Sequence, residues 1–562
     1  MADDDERSLR TRDRPAPRCS RRPAFAILGL ALLGLVAFSR VIGAGFIELD
    51  DYLYIVSSPK ILEGISPGNL LWALTTRDGG VWMPLARISL QLDGSLSGAS
   101  PIAYHVHNLV LHLANAALVF LVLHAATGSL WRSLLAAALW SVHPLRVESV
   151  AWVAERKGLS SSFWGLLAIL AFVRLSGEQA RRAHALAALC FALSLMAKVA
   201  FAVLPLLLLL LAWWPLGRIR SPRDALSEAR RMIWLFAVAA AGVAIPYFTL
   251  GSIGALKEPD FGEWIGSVAS SYALHLWKTL AARDLAVYYA REAHSLGGWQ
   301  SAGVVLLLAV ATAAFLRLRT RRPWLLMGWL WFLVAALPTS GLIQAGSHAW
   351  ADRYTYVPSI GLILALVWSL PERLLAHRRG RAAAVALVLA VLALEVRASV
   401  IQTGYWRDSV TLFEQAASAN DASYVIQQNL ASAYQRRGDL EEATRHFRRA
   451  VEILPDYPRG YRELGRVLGR RGAWGEAARE LRRAVELAPS WLRARDDYAM
   501  ALANLGRFDE ALEQLEIAAR LDPRDELVRK HRAELLPRAS ESGPGLAAPR
   551  LRPARESRRP RR

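Results

Sequence analysis

The chain contains a series of apolar segments, each long enough to cross a membrane as a helix, and this feature limits its fold more than any other. A bilayer core about 30 Å thick needs roughly 17 to 25 mostly apolar residues per helical span. Segments that meet this condition are 24–42, 104–126, 130–147, 159–175, 183–198, 199–216, 232–250, 299–316, 324–343, 357–373 and 382–399. The sequence therefore predicts an all-α, polytopic membrane domain of about eleven spans.

Arginine and lysine in the loops between these segments predict the orientation of the domain, because cytoplasmic loops carry an excess of both residues. The Arg-rich loops are 128–133, 174–182, 218–231, 317–322 and 377–381. The loops that this alternation places on the outer side are 43–103, 143–158, 251–298 and 344–359. The segment 264–290 is amphipathic, and we interpret it as interfacial or as an even number of crossings, because one crossing there would invert every later loop.

Composition and charge narrow the class of protein further. The hydrophobic fraction of 54% exceeds that of an ordinary soluble domain. The formal charge of +20 arises largely in short loops where membrane topology already requires it, so we expect no nucleic-acid partner. Cys19 in the polar N-terminal tail and Cys190 in an apolar segment are not expected to form a disulfide. The first apolar segment follows arginines and lacks an Ala-x-Ala pattern, which predicts a retained span.

Beyond Arg397 the sequence becomes charged and Ala-rich, and it repeats with the 34-residue period of tetratricopeptide helix pairs. The recurring positions are Gly438, Gly472 and Gly506, then Ala443, Ala477 and Ala511, then Ala450, Ala484 and Ala518, and Pro455, Pro489 and Pro523. Glycine ends the first helix of a repeat, alanine lets the second helix pack closely, and proline ends it. A half repeat at Phe413 and Ala416 and a capping helix at 525–536 complete the predicted α-solenoid.

These patterns predict a cytoplasmic basic tail, a polytopic membrane domain, a tetratricopeptide domain and a disordered basic tail. Their bounds are 1–23, 24–400, 401–536 and 537–562. The Ala and Arg content, and the lack of an ER retrieval motif, favour a bacterial cytoplasmic membrane with the repeats in the periplasm. In a eukaryote the same topology would place the repeats in the ER lumen.

Three carboxylates follow the first span directly, in GAGFIELDDYLYI at residues 43–55: Glu48, Asp50 and Asp51. They cannot stabilise the preceding helix, because an anion near a helix C-terminus is unfavourable. Either they lie in a solvated loop, or they form a general base or a metal site at the membrane surface. The residues of this stretch leave both interpretations open.

Further polar residues are predicted on the same side of the membrane. In the second span Asn108, His112 and Asn115 continue a polar stripe that begins at His105, and polar residues in a span face the protein interior. We expect the first three to hydrogen-bond between helices, whereas His105, nearest the outer surface, is a site candidate. The candidates in the outer loops are His143, Arg146, Glu148, Glu155, Arg156, Lys157, His348, Asp352 and Arg353.

The order of FIELDD, VWMPLARISLQLD, YHVHNLVLH, HPLRVESVAWVAERKG and ADRYTYVPSIG, followed by repeats, resembles the transmembrane and tetratricopeptide repeat family of protein O-mannosyltransferases. This family lies in the glycosyltransferase C superfamily, and the resemblance extends from about residue 24 to 535. It implies a polyprenyl-phosphate sugar as donor substrate. It also implies a catalytic acidic pair in the first outer loop, with Asp50 as the base and Asp51 as its neighbour.

The donor implied by this resemblance agrees with the placement of the polar residues. A lipid-linked sugar keeps its isoprenoid in the bilayer, so catalytic residues should lie where spans meet outer loops. The leaving phosphate needs fixed cations, for which the candidates are Arg87, Arg156, Lys157 and Arg353. The other candidate donor-site residues are His105, His143, Arg146, Glu148 and Asp352. A divalent metal held by Asp50 and Asp51 is an option that no ligand spacing requires.

The repeats are predicted to bind the acceptor protein, because a solenoid can hold an extended polypeptide and raise its effective concentration. The first-helix positions expected to line the groove include Gln428, Ser432, Gln435, Arg459, Arg462, Arg466 and Arg493. Their charge predicts a preference for acidic partners, and a merely solvated Arg-rich face is the alternative.

The sequence as a whole predicts an inverting glycosyltransferase that moves a sugar, mannose by the resemblance, to Ser or Thr hydroxyls of proteins outside the cytoplasm. Two alternatives stay open. One is a transferase or ligase that acts on lipid or polysaccharide acceptors. The other is a non-catalytic, membrane-anchored scaffold that displays the repeats.

Overall fold

The computed structural model describes residues 22–78, 81–174, 180–252, 261–289, 296–342, 350–372, 376–419 and 421–541. Within these ranges the regular elements are helices and no strand occurs, which confirms the all-α class. The chain separates into two compact units. We call them the membrane unit (described residues within 22–44, 53–283 and 296–404) and the repeat unit (45–52, 284–289 and 405–541). Cys19, His348 and most of both predicted tails lie outside the described residues.

The membrane unit is a bundle of helices, and each of the predicted spans coincides with one of them. In chain order the helices are α1 (Arg22–Phe38), α2 (Pro59–Leu62), α3 (Pro67–Thr75), α4 (Pro84–Ser97), α5 (Pro101–Thr127), α6 (Leu130–Val142), α7 (Val147–Ala151), α8 (Arg156–Arg174), α9 (Ala180–Ala197), α10 (Leu204–Trp213), α11 (Pro222–Arg231), α12 (Ile233–Ser252), α13 (Phe261–Leu280), α14 (Gly298–Leu318), α15 (Pro323–Ala336), α16 (Pro358–Trp368) and α17 (Arg378–Tyr405).

Four described helical segments are long and apolar enough to cross a membrane: α1 with its continuation to Gly43, α5, α14 and α17. Helices α14 and α17 expose apolar side chains such as Leu306 at 64% and Leu387 at 67%, which a lipid environment accommodates and water does not. Other apolar helices are shorter; the ten residues of α10 extend about 15 Å, half of the bilayer core. The number of eleven spans stays a prediction.

Close helix packing forms the core of the membrane unit. Trp140, Phe120 and Phe191 are fully buried there among α5, α6, α8 and α9. Helices α15 and α16 cross where Gly328 meets Gly361, and a Cβ atom added to Gly328 would lie 2.2 Å from the carbonyl oxygen of Gly361. A larger residue at this crossing would force the two backbones apart, so glycine here serves the packing.

Contacts between loops of the membrane unit occur within the two predicted sides. On the side predicted to be cytoplasmic, Arg132 pairs at 3.1 Å with Glu372, near the end of the predicted span 357–373, although Glu372 remains largely exposed. On the side predicted to be outside, Glu148 and Arg353 pair between two loops. At the same side Ser399, the last residue of the predicted span 382–399, donates to the carbonyl of Val142 in the span 130–147 at 2.6 Å. The structure therefore groups the loops as the charge pattern does, which leaves the absolute orientation as a prediction.

Helix α13 lies in the amphipathic segment that was interpreted as interfacial. Near its start, the indole of Trp264 donates to the carbonyl of Leu342 at 3.2 Å. Near its end, the carbonyl of Thr279 is hydrogen-bonded to His143 Nε2 at 3.2 Å. These contacts are about 22 Å apart along the helix, yet both are made to outer-side residues. Both ends of the helix therefore contact the outer side, which agrees with the interfacial interpretation, although Tyr272 in its middle packs against Trp329 and Phe332 of α15.

The repeat unit contains the predicted solenoid of paired helices. They are α18 (Ser409–Ala419), α19 (Tyr424–Arg437), α20 (Leu440–Ile453), α21 (Pro458–Arg470), α22 (Trp474–Leu487), α23 (Leu492–Asn504), α24 (Phe508–Leu521) and α25 (Glu526–Glu541). Gly438 and its equivalents adopt positive φ angles of 96°, 80° and 78° at the turns inside each repeat. The capping helix α25 ends at Glu541, so the predicted disordered tail begins with helical residues.

A contact between His531 and Asp496, 2.7 Å between Nδ1 and Oδ1, joins the capping helix to α23. This hydrogen bond raises the pKa of His531 by more than partial burial lowers it. The stabilisation is therefore complete below the unfolded value of 6.5 and is lost as pH rises through the folded pKa. We expect the hydrogen-exchange protection of α25, corrected for the intrinsic rate, to fall as pH rises above about 6.5. An unchanged pH dependence in His531→Gln would contradict this.

Candidate functional site

The acidic stretch after the first span is part of the repeat unit. The backbone N–H of Gly45 donates to the carbonyl of Arg407 at 2.9 Å. The N–H of Glu48 donates to the hydroxyl of Ser409 at 2.8 Å. Two backbone N–H groups of this stretch therefore donate to the start of the solenoid.

Glu48 forms a two-pronged ion pair with Arg436 on α19. The guanidinium of Arg436 also lies 4.0 Å from the ring centre of Tyr52. Burial raises the pKa of Tyr52, Arg436 opposes this rise, and Glu48 and Asp51 add to it. The sequence grouped Glu48 with the catalytic carboxylates, whereas the structure places it in a link between the acidic stretch and the solenoid.

Asp50 and Asp51 differ in their surroundings. The carboxylate of Asp51 is fully buried and accepts the backbone N–H of Ile47 at 3.0 Å, so it fixes the turn of its own stretch. Asp50 is partly exposed, as a group that exchanges a proton with a substrate must be. Among the described residues, no group of three or more His, Cys, Asp or Glu side chains could hold a metal ion. A metal at Asp50 and Asp51 therefore stays a prediction from sequence.

The outer end of the membrane unit contains a buried cluster of charges, which we call the charge cluster: Glu148, Glu155, Lys198 and Arg353. Arg353 pairs with Glu148 through its guanidinium and also donates its backbone N–H to Glu148 at 2.7 Å. The same guanidinium lies 3.6 Å from Glu155, which pairs in turn with Lys198. Two acidic and two basic side chains thus alternate in this cluster, and their formal charges sum to zero.

Short elements bring these side chains together. Glu148 is on the single-turn helix α7, whereas Glu155 and Arg353 are on the 3-10 turns Val153–Glu155 and Asp352–Thr355. Burial lowers the pKa of Arg353, but Glu148, Tyr354 and Glu155 raise it by more than burial lowers it. The net pKa therefore lies above its ordinary value. Burial raises the pKa of Glu155, yet Lys198, Lys157 and Arg353 hold the net pKa below the ordinary value. Both groups are therefore charged at neutral pH.

A crevice of about 30 Å³ opens beside the charge cluster, with Glu155, Gly158, Lys198 and Arg353 in its lining. This volume holds roughly one or two water molecules. The crevice therefore admits solvent to the cluster but not a sugar.

Aromatic rings cover the cations around this crevice. The guanidinium of Arg353 lies 4.9 Å from the ring centres of both Trp152 and Tyr354. The ammonium of Lys157 lies 5.2 Å from the ring of Tyr54 and 5.7 Å from that of Trp152. An aromatic face attracts a cation without neutralising it, so these rings hold both side chains in place.

Arg156 and Arg87, which were predicted as fixed cations for the leaving phosphate, are both buried against internal partners. The fully buried Arg156 pairs with Asp93 at 2.7 Å and donates to Asn108 at 2.5 Å. Arg87 is 2% exposed and donates to the carbonyls of Thr76 and Asp78, at 2.9 and 2.6 Å. Both guanidiniums hold loops and helices together, because burial requires such partners for a charge.

Arg146 is fully buried, and its hydrogen-bond acceptors include hydroxyl groups. It donates to the hydroxyls of Thr355 and Ser359 at 3.0 and 3.1 Å. Its Nε and Nη1 groups have no hydrogen-bond partner among the described residues. Both ring nitrogens of His143 are used within the unit, since Nδ1 accepts the N–H of Leu145 and Nε2 is hydrogen-bonded to the carbonyl of Thr279. The remaining candidates, His105 and Asp352, are both buried at this end of the unit.

The polar stripe of the second span connects helices, as predicted. His112 is hydrogen-bonded to the hydroxyl of Tyr356 and to the carbonyl of Ser141, each at 2.9 Å. Asn115 donates to the carbonyl of Leu159 at 3.1 Å, and Asn108 donates to that of Trp152 at 3.0 Å. These side chains fix the position of α5 against α6, α8 and the outer turn before α16.

Sequence reasoning missed two charged residues of the membrane unit, Lys198 and Asp93. Lys198 lies between two adjacent apolar segments, and the predicted alternation puts that turn on the outer side with Glu155. This position could have identified Lys198 as a partner for an outer-loop carboxylate. Asp93 lies within α4 of the long first loop, and the sequence around it does not indicate that it pairs with Arg156.

The repeat unit has a groove of about 360 Å³, which we call the α19–α21 groove. Its lining residues are Glu48, Gln428, Ser432, Gln435, Arg436, Arg459, Glu463, Arg466 and Arg470. Two residues predicted to line the groove form ion pairs outside this cavity. Arg462 pairs with Asp497 at 2.6 Å, and Arg493 pairs with Asp525 at 3.0 Å. Neither lines this cavity, because their guanidiniums join neighbouring repeats.

The fold and its outer charge cluster define an α-helical membrane protein that carries a tetratricopeptide array. Tetratricopeptide repeat models match residues 420–490 and 492–535. Among solved structures, the first tetratricopeptide domain of Spaghetti (RPAP3) bound to HSP90 peptide SRMEEVD is 17% identical, with a TM-score of 0.21 over 21% of this chain and 94% of that chain.

Curated relatives confirm the resemblance to the O-mannosyltransferase family. The mouse and human proteins named protein O-mannosyl-transferase TMTC4 are each 24% identical to this chain, over 76% of this chain and 66% of their own length. The Drosophila melanogaster protein O-mannosyl-transferase Tmtc1 is 32% identical over 28% of this chain. This chain spans a fifth, 20%, of that fly protein.

Proposed function

We propose that this protein transfers mannose from a polyprenyl phosphate to Ser or Thr hydroxyls of proteins on the non-cytoplasmic side of its membrane. The observation that carries the proposal is the similarity to named protein O-mannosyl-transferases over 76% of the chain. The grouping of polar outer loops around the charge cluster supports it, because a lipid-linked donor presents its phosphate at the membrane surface.

The proposed reaction is a direct displacement with Asp50 as the base. The hydroxyl oxygen of the acceptor forms a bond to C1 of the sugar, and the bond from C1 to the phosphate oxygen breaks. The hydroxyl proton passes to Asp50, and the bonding electron pair leaves with the polyprenyl phosphate. This displacement inverts the configuration at C1. Asp51 positions the stretch through its bond to the N–H of Ile47.

The leaving phosphate gains negative charge, which a fixed cation stabilises. Lys157 is the candidate that best fits this role, since its side chain is partly exposed and lies against Trp152 and Tyr54. Arg353 has its charge balanced by Glu148 and Glu155, so its proposed contribution is to hold the outer loops in place.

A transfer assay with purified full-length protein tests the proposed function. We expect radiolabelled mannose on a Ser-containing protein acceptor when mannosyl polyprenyl phosphate is supplied. Nucleotide-linked mannose should give no product, because it lacks the lipid that places the donor in the membrane. Transfer only to a lipid or polysaccharide acceptor would overturn the protein-acceptor assignment, and no transfer from any polyprenyl-phosphate sugar would overturn the enzyme assignment.

A further inference from the structure

The α19–α21 groove has an excess of positive charge that its own residues do not balance. Four arginines and two glutamates line it. Arg436 pairs with Glu48, and Arg466 pairs with Glu463 at 3.1 Å. Arg459 and Arg470 are exposed and have no carboxylate partner in the described part of the chain. Two guanidiniums are thus available to an anionic ligand from outside.

The rest of the groove suits a peptide. Gln428, Ser432 and Gln435 line it with amide and hydroxyl groups that can pair with an extended backbone. Its volume of about 360 Å³ lies within the range of about 300 to 1,000 Å³ that is usual for ligand sites. Guanidinium groups bind carboxylates in a two-pronged geometry, so Asp or Glu side chains are the natural anions of such a peptide.

The groove adjoins the proposed catalytic stretch through the chain itself. Glu48 lines the groove, and Asp50 follows two residues later, so their Cα atoms are at most about 7 Å apart. Tyr457 at the start of α21 donates to Gln428 of α19 at 2.5 Å, and helices in side-chain contact lie about 8–10 Å apart. An extended peptide advances about 3.3 Å per residue, so about three to six residues separate a carboxylate held by α21 from a hydroxyl at Asp50.

We propose that the α19–α21 groove selects acceptor segments that carry an Asp or Glu about three to six residues from the modified Ser or Thr. This inference rests on the proposed function and adds a determinant of its acceptor. Arg459 and Arg470 recognise the carboxylate. The Arg436–Glu48 ion pair keeps the groove next to the acidic stretch.

The experiment uses full-length protein in nanodiscs with three peptides that differ at one position, four residues from a single Ser: Glu, Gln or Lys. Transfer from mannosyl polyprenyl phosphate and binding by fluorescence anisotropy are both measured. We expect KM and Kd to be about 5- to 20-fold lower for the Glu peptide than for the Gln peptide, as two solvent-exposed ion pairs allow. The preference should shrink in about 0.5 M salt.

The variant Arg459→Gln/Arg470→Gln should lose this preference. Arg482→Gln/Arg483→Gln is the matched control, since it removes the same charge from exposed positions on α22, outside the groove, and should keep the preference. Equal KM and Kd for the Glu and Gln peptides would overturn the inference while the proposed function stands. If no peptide accepts mannose, the proposed function fails, and the anisotropy measurement still decides whether the groove prefers the carboxylate.

Discussion

Asp50→Asn is expected to lower the rate of mannose transfer by about 10²–10⁴-fold, the usual contribution of a general base. Asparagine has nearly the shape of aspartate but cannot accept the hydroxyl proton. The backbone bonds of Gly45 and Glu48 do not involve the Asp50 side chain, so the stretch should keep its conformation. The measurement is the initial rate of transfer by purified protein at saturating donor.

Asp51→Asn is the matched control for this variant. Its amide oxygen can still accept the N–H of Ile47, so the buried turn is retained and the loss of rate should be much smaller. A thermal unfolding curve unchanged from that of the natural protein would exclude misfolding as the cause in either variant. Full activity of Asp50→Asn, or equal losses in both variants, would remove Asp50 from the role of base.

Arg353→Met is expected to destabilise the membrane unit by about 3–5 kcal/mol, the usual cost of removing one partner from a buried ion pair. The variant would remove the guanidinium partner of Glu148, which keeps the backbone N–H of residue 353, and would leave Glu155 to Lys198 and Lys157. Cys190 is buried in the membrane unit, so its labelling by a thiol reagent in a Cys19→Ser background reports unfolding of that unit.

Two further variants separate a buried pair from an exposed one. Arg132→Met removes the pair with the largely exposed Glu372 and should cost less than about 1 kcal/mol. Glu148→Leu combined with Arg353→Met removes both charges and should recover part of the lost stability. Similar losses for Arg353→Met and Arg132→Met would show that the charge cluster does not behave as a buried one.

The contribution of Glu155 to the stability of the charge cluster changes with pH in a defined direction. The pKa of Glu155 is lower in the folded protein than its ordinary value of 4.5. Its contribution to stability is therefore complete above that value and is lost as pH falls through the folded pKa. Destabilisation of the membrane unit by Arg353→Met should accordingly be measured near neutral pH, where Glu155 and Arg353 are both charged.

Much of the architecture could be predicted because it depends on residues close together in the sequence. A 34-residue period with glycine, alanine and proline at fixed offsets is enough to define helix pairs that stack. Apolar length identifies the helices of the membrane unit, and loop charge predicts which loops meet, as Arg132 with Glu372 illustrates. The amphipathic pattern of α13 was also recognisable, since it is local, and its interfacial placement stays a prediction.

The roles of individual charges could be predicted only in part. The sequence predicted hydrogen bonds between helices for Asn108, His112 and Asn115, because a polar side chain inside a span needs a partner on another helix. Arg156 and Lys157 are neighbours in sequence, yet Arg156 is fully buried against Asp93 and Lys157 is partly exposed over aromatic rings. Adjacent side chains on a helix point about 100° apart, so the two enter different surroundings. The local sequence does not show which of them faces the buried side.

The sequence by itself therefore determined the helices, the repeats and the grouping of the outer loops, since apolar length, period and loop charge act over short stretches of chain. Only the tertiary structure decided which charge each arginine and glutamate meets. It paired Arg156, Arg87, Arg462 and Arg493 with internal partners, and it joined Glu48 to Arg436 across 388 residues. The physical reason is that burial forces each charge to find a partner, and that partner depends on which helices pack together.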